Sequence, residues 1–252
     1  MNLNPLRMIG RLDIKNDSVV KGINLEGLRK VGNPRDLAKK YYEQGIDEII
    51  YMDVVASLYE RNTITEFIKE AAKEIFVPLT VGGGIRSLDD IRKVLNNGAD
   101  KVAINTAAIK NKNLIKEAAQ KIGSQSIIVS IEAKRIEENY WEAYYDNGRE
   151  RSGLEVLKWA KTAEELGAGE VLVTSVDKEG LGLGIDIELL KNLRSAVSIP
   201  IIYSGGVGKV EDILDGIPYA DGIALASILH YDKYDIRNLK KILKTKEVDI
   251  RT

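Results

Sequence analysis

The sequence predicts an α/β protein folded as a single (β/α)8 TIM barrel built from two duplicated half-barrels, about 1–122 and 123–252. Three observations carry that expectation. The first is a repeat about 120 residues apart: Met8-Ile-Gly-Arg-Leu-Asp-Ile-Lys15 returns as Ile127-Ile-Val-Ser-Ile-Glu-Ala-Lys134, Val77-Pro-Leu-Thr-Val-Gly-Gly-Gly-Ile85 as Ile199-Pro-Ile-Ile-Tyr-Ser-Gly-Gly-Val207, and Gly98-Ala-Asp-Lys-Val-Ala-Ile-Asn105 as Tyr219-Ala-Asp-Gly-Ile-Ala-Leu-Ala226. That period exceeds the roughly 20–50 residues of solenoid units and fits a duplicated half-domain. The second is a set of eight short, nearly continuous apolar runs, at 8–12, 48–52, 79–81, 101–104, 127–131, 170–173, 201–203 and 222–225. Parallel strands buried on both faces read this way. The third is the helical patterning between them, at 34–44, 63–74, 88–96, 113–121, 153–166 and 187–196.

Local signals support the elements in order. Asn33 stands before Pro34, and Ser87 before Leu88-Asp89-Asp90, as caps that satisfy free helical N–H groups. Gly45, Gly98, Gly123 and Gly167 follow helices, where a left-handed residue ends them. After the fifth strand, Tyr140-Trp-Glu-Ala-Tyr144 runs into Tyr145-Asp-Asn-Gly-Arg-Glu150, which predicts a small hairpin rather than a plain loop.

Composition narrows the function. A net charge of −1 over 252 residues creates no long-range field to capture nucleic acid or a membrane, so neither is expected as a partner. The absence of cysteine excludes disulfides, thiolate metal sites and a cysteine nucleophile. One histidine, His230, cannot form a histidine metal cluster, so no metal and no cofactor are expected. No apolar run reaches membrane-spanning length and no signal-peptide pattern appears, which predicts a cytoplasmic protein.

In a barrel of this class the reactive groups gather where strands end, at the C-terminal face. Asp13 ends the first strand and Glu132 the fifth, so the two carboxylates should face each other across the mouth. Such a pair can divide proton donation from proton removal. Gly82-Gly-Gly84 and Gly205-Gly206 would form two anion cups, in which backbone N–H groups approach a phosphate closely. Asn105-Thr106 and Ser227 would add donors. Two opposed cups suit a small bisphosphorylated substrate. At the other end, Arg7, Glu48, Lys101 and Glu170 begin four strands; spacing alone favours a solvated rim there.

The runs Leu12-Asp-Ile-Lys15, Val20-Lys-Gly22, Val81-Gly-Gly-Gly-Ile-Arg86, Gly98-Ala-Asp-Lys-Val-Ala-Ile-Asn-Thr106, Gly123-Ser-Gln125, Ala133-Lys-Arg135, Thr174-Ser-Val-Asp177 and Ser204-Gly-Gly206 resemble the HisF family, the cyclase subunit of imidazole glycerol phosphate synthase. The resemblance covers essentially the whole chain. It implies a cytoplasmic lyase of histidine biosynthesis that takes ammonia from a HisH-like glutaminase docked at the barrel bottom as a heterodimer. It makes Asp13 the essential acid/base, Glu132 its opposite partner, and Lys21, Gly84, Asn105, Thr106, Thr174, Gly180, Ser204, Gly206 and Ser227 substrate ligands. It also turns Arg7, Glu48, Lys101 and Glu170 from a rim into an ammonia gate, with Asp100 beside it.

Several positions depart from the family pattern. Glu132 replaces an aspartate and adds a methylene, moving the carboxylate by on the order of 1 Å. Glu179-Gly180-Leu181 replaces Asp-Gly-Thr, Ala103 a serine, and Arg11 a cysteine. Arg11 shares a face with Asp13, which puts a positive charge inside the barrel. These departures, with Asn24-Leu-Glu-Gly-Leu-Arg29 and Tyr51-Met-Asp-Val-Val-Ala-Ser-Leu-Tyr59, are similar to a paralogous branch that conducts ammonia to a sugar amidotransferase in surface-polysaccharide synthesis. A non-catalytic glutaminase-binding scaffold is a third reading.

Overall fold

The computed structural model describes residues 5–55 and 64–251. Eight parallel strands form the barrel: β1 (Arg7–Lys15), β4 (Glu48–Asp53), β5 (Leu79–Gly82), β6 (Lys101–Ile104), β7 (Ile127–Glu137), β10 (Glu170–Ser175), β11 (Ile201–Ser204) and β12 (Gly222–Leu225). Pairing runs β10-β11-β12-β1-β4-β5-β6-β7, and β7 pairs with β10 to close the ring. β1 and β7 are therefore four steps apart in either direction, diametrically opposed. No helix among the described residues is long and apolar enough to cross a membrane.

The helices fill the crossovers: α1 (Pro34–Glu43), α2 (Ile64–Glu74), α3 (Leu88–Asn96), α4 (Thr106–Lys110), α5 (Asn113–Ile122), α6 (Val156–Glu165), α7 (Ile187–Ala196), α8 (Val210–Gly216), α9 (Ser227–His230) and α10 (Ile236–Thr245). Asn33 accepts from the Arg35 and Asp36 N–H groups, and Ser87 forms a capping box with Asp90. Gly45, Gly98, Gly123 and Gly167 all take positive φ after their helices. Position 63 and the end of the 51–59 motif lie outside the described residues.

Alternation along each strand sorts side chains between two cores. Leu12, Ile49, Val81, Val129 and Val173 point outward into the layer under the helices. Ile9, Ile50, Ala103, Ile128, Leu172, Ile202 and Ala224 point inward and pack a separate apolar layer across the barrel.

Two expectations need correction. Asp13 and Glu132 do not end their strands: β1 runs on to Lys15 and β7 to Glu137, each feeding a hairpin. The second is the expected one, formed by β8 (Tyr140–Tyr145) and β9 (Glu150–Glu155). Its return strand takes residues 153–155, which the sequence pattern assigned to the helix; Glu155 instead caps α6, accepting from the Leu157 and Lys158 N–H groups. The first hairpin, β2 (Ser18–Ile23) with β3 (Glu26–Gly32), was not anticipated. The duplication itself held that signal, because the half-barrels repeat the hairpin as well as the strand. The hairpin tips meet over the mouth, where Asn147 Nδ2 donates to the Leu25 carbonyl at 3.4 Å.

Trp141 anchors the second hairpin. It is fully buried and its Nε1 donates to Asp186 Oδ2 at 3.0 Å, while Asp186 Oδ1 caps α7 through the Leu189 N–H. Trp141→Phe should cost about 1–3 kcal/mol, because a buried carboxylate oxygen loses its donor. Trp141→Ala should cost about 3–5 kcal/mol through the added cavity. Urea unfolding should register both as lower midpoints at unchanged slope.

Candidate active site

The barrel interior is layered by residues spaced two apart on each strand. At the bottom, Arg7 Nη1 contacts Glu48 Oε1 at 2.9 Å and Glu170 Oε1 at 2.7 Å. Lys101 Nζ contacts Glu170 Oε2 at 2.9 Å and Glu48 Oε2 at 3.6 Å. Each cation touches both anions, so the four close a ring of alternating charge. Arg7, Glu48 and Glu170 are buried, which removes the reading of a solvated rim. Asp100 beside them is exposed, and its carboxylate accepts from the Leu79 N–H at 2.8 Å. The apolar layer follows, two residues further along the strands.

Above it lies a polar layer. Arg11 enters the interior: Nε donates to Asp13 Oδ1 at 2.8 Å, and Nη1 donates to Thr174 Oγ1 at 2.7 Å and Ser204 Oγ at 3.2 Å. Asp13 is buried, and burial on its own would raise its pKa. The Arg11 guanidinium and the Lys21 ammonium outweigh that and hold the carboxyl below the usual carboxylate range. Glu132, across the barrel, is pushed up to about 7 by burial, against the pull of the Gly148 N–H, Arg11 and Asn105. Its Oε2 accepts from the Gly148 N–H at 2.7 Å. The two carboxyls are thus shifted in opposite directions, Asp13 down and Glu132 up.

The two expected cups are unequal. Gly84, Asn105, Thr106 and Glu132 line a cavity of about 290 Å³ that also meets Arg86 and Lys110. Asn105 Nδ2 donates to the Tyr144 carbonyl and Thr106 Oγ1 to Asp146, which ties this cup to the second hairpin. A Cβ on Gly83 would lie 2.1 Å from the Asp53 carbonyl oxygen, and its φ is +93°, so only glycine fits this turn. The second cup, lined by Lys21, Gly180, Ser204, Gly206 and Ser227, holds only about 20 Å³. Lys21 is ion-paired there with the buried Glu179. Gly180 packs so closely on the first hairpin that a Cβ would lie 2.2 Å from the Gly22 oxygen. Thr174 lines neither cavity and instead holds Arg11.

A model of histidine biosynthesis proteins matches residues 7–235. Proteins named imidazole glycerol phosphate synthase subunit HisF are similar over most of their length. That of Legionella pneumophila is 56% identical over 82% of this chain and 98% of its own. Those of a Hydrogenobaculum species and of Lactococcus lactis are 48% and 47% identical over 97% of this chain, and over 98% and 96% of their own. The chain belongs to the HisF family. The opposed acids, the charge ring, Arg11 and the Lys21–Glu179 pair thus sit on a HisF scaffold.

Among the described residues no acidic or histidine cluster could hold a metal ion. Sequence reasoning missed His230 as a site neighbour. It is buried, its Nδ1 lies 2.6 Å from Tyr41 Oη, and burial pulls it down to about 4, leaving it neutral. Its place at the end of the short helix that begins at Ser227, beside the second cup, was the available signal.

The raised Glu132 carboxyl costs stability when ionised. Its folded pKa, about 7, exceeds the ordinary value of 4.5, so the penalty is absent below pH 4.5, grows as pH rises, and is complete above pH 7. Glu132→Gln should therefore gain on the order of 3 kcal/mol over wild type at pH 8 and nothing from this source at pH 4, read by denaturant unfolding.

Proposed function

We infer that the chain is the cyclase subunit of imidazole glycerol phosphate synthase in histidine biosynthesis. We further infer that ammonia reaches its mouth through the barrel from a glutaminase subunit docked on the bottom face in the cytoplasm. The relatives' names call each of them a subunit, which supports a partner subunit for this chain. Those names favour the cyclase over both the sugar-amidation branch and the inert scaffold.

The observation that carries the mechanism is the pair of opposed carboxyls in unlike surroundings, Asp13 against the Arg11 guanidinium and Glu132 against the Gly148 N–H. Ring closure with loss of the carboxamide ribotide needs protons moved at several atoms of a ribulosyl aminoimidazole-carboxamide substrate. Asp13, ionised beside Arg11, serves as the base; Glu132, titrating near 7, gives a proton and takes one back. The large cavity takes one phosphate through the Gly83-Gly84 backbone, Asn105 and Thr106. Lys21, Gly206 and Ser227 take the other after the Lys21–Glu179 pair opens. The products are imidazole glycerol phosphate and an aminoimidazole-carboxamide ribotide.

The four-charge ring is suited to gating. Its ion pairs close the entrance against solvent, and ammonia is neutral and small enough to pass when Lys101, the most exposed of the four side chains, swings aside. Above the ring, the apolar layer admits ammonia more readily than ammonium, because an unpaired charge there is heavily penalised.

The isolated chain, given the bisphosphorylated substrate and an ammonium salt, should release both products. Asp13→Asn should lower that turnover by at least about 100-fold with the fold intact by circular dichroism. No turnover by wild type would contradict the cyclase reading. Lys101→Ala should reduce glutamine-driven turnover of the complex more than ammonium-driven turnover, and an equal loss would return the ring to a structural role.

A further inference from the structure

Arg11 lies across the barrel. It leaves β1 and ends on hydroxyls of β10 and β11, and β10 is three strands away around the ring. Its side chain lies directly above the apolar layer, because Ile9, Leu172 and Ile202 stand two residues before Arg11, Thr174 and Ser204 on their strands. The space on its two sides differs. Toward β10, β11 and β12 the cavity is about 20 Å³, enough for about one water, and it reaches Ala224. Toward β4, the loop after β5, β6 and β7 the cavity is about 290 Å³; its lining includes Arg11, Ala103 and Ser130 and no residue of β10, β11 or β12.

Ala103 belongs both to this lining and to the apolar layer below, so the large cavity reaches down to that layer along β6. Two residues beneath Ala103 is Lys101 of the charge ring. On the same side, Thr80 Oγ1 and Asn105 Oδ1 are buried without a hydrogen-bond partner among the described residues. They offer polar contacts to a small molecule moving past.

We propose that Arg11 is a partition: it seals the β10–β12 sector of the barrel interior and confines passage from the charge ring to the mouth to the β4–β7 sector, past Ala103. This rests on the reading that ammonia crosses the barrel. The guanidinium is nearly fully buried with three hydrogen bonds, one of them to a carboxylate. Displacing it would strand a charge and two hydroxyls, so it behaves as a fixed wall rather than a swinging side chain. Its charge also repels ammonium while leaving neutral ammonia unaffected, and it steers the nucleophile toward the Glu132 side of the mouth. Arg11 is thus a positioning residue for the incoming nitrogen as well as for Asp13.

The test uses the complex with its glutaminase and reads the ratio of glutamine-driven to ammonium-driven turnover. Any effect of a substitution on the chemistry at the mouth divides out of that ratio. Ala103→Leu fills the only proposed passage and should lower the ratio by about tenfold or more. Arg11→Ala combined with Ala103→Leu opens the other sector and should bring the ratio back to within about threefold of wild type. If Ala103→Leu does not fold, Ala103→Val makes the same test with a smaller side chain. A coupled wild type whose ratio is unmoved by the substitution at Ala103, or a double variant that recovers nothing, overturns the partition alone. A wild-type complex that turns over with ammonium but never with glutamine overturns the transit reading, and the partition with it.

Discussion

Closing eight parallel strands into a ring assigns every second residue of each strand to a space that water reaches only from the ends. Everything else in this protein follows from what those residues are. Down β1 they read Arg7, Ile9, Arg11, Asp13; down β10 they read Glu170, Leu172, Thr174. Charge, hydrocarbon and polar groups are thereby stacked in that order from bottom to mouth. The apolar layer separates two charged zones that would otherwise interact, and it lets the ring below pair internally while the mouth above is tuned independently. Shifting a strand by one residue would exchange its inner and outer sets, so the register is held by both cores at once.

The duplication supplies a symmetric backbone, and the side chains break that symmetry. Asp13 and Glu132 occupy equivalent places, yet one is held ionised by Arg11 and Lys21 while the other is held near neutrality by burial. Glu132 is also tied to the second hairpin: its Oε2 accepts from the Gly148 N–H in the turn above it. The cups diverge in the same way. One stays open beside Arg86 and Lys110, and the other is closed by Lys21 and Glu179. Opening that pair on substrate arrival would couple the first hairpin to the loop that carries Glu179, since the Asn24 N–H already donates to the Glu179 carbonyl.

Strand and helix positions were legible in the sequence because buried parallel strands and amphipathic helices leave strong periodic signals. The charge ring was legible only through resemblance. Four charged residues at strand starts look like a rim until the closed geometry brings Arg7 to both Glu48 and Glu170. The first hairpin escaped notice because the turn between Ser18–Ile23 and Glu26–Gly32 uses Asn24 and Leu25 at positive φ rather than glycine. Arg11 was placed inside the barrel by alternation with Asp13. Its reach to Thr174 and Ser204 depends on the barrel's width, which no local pattern encodes, and so does the closure of the second cup by residues about 160 apart in the chain.

The account rests on two like residues made unlike by their surroundings. Carbon-detected NMR titration of the carboxyl groups of Asp13 and Glu132, assigned with Asp13→Asn and Glu132→Gln, measures that directly. Glu132 should titrate with a midpoint near 7, and Asp13 should stay ionised down through the ordinary carboxylate range. Two carboxyls titrating together near the ordinary value would contradict the division of acid and base between them.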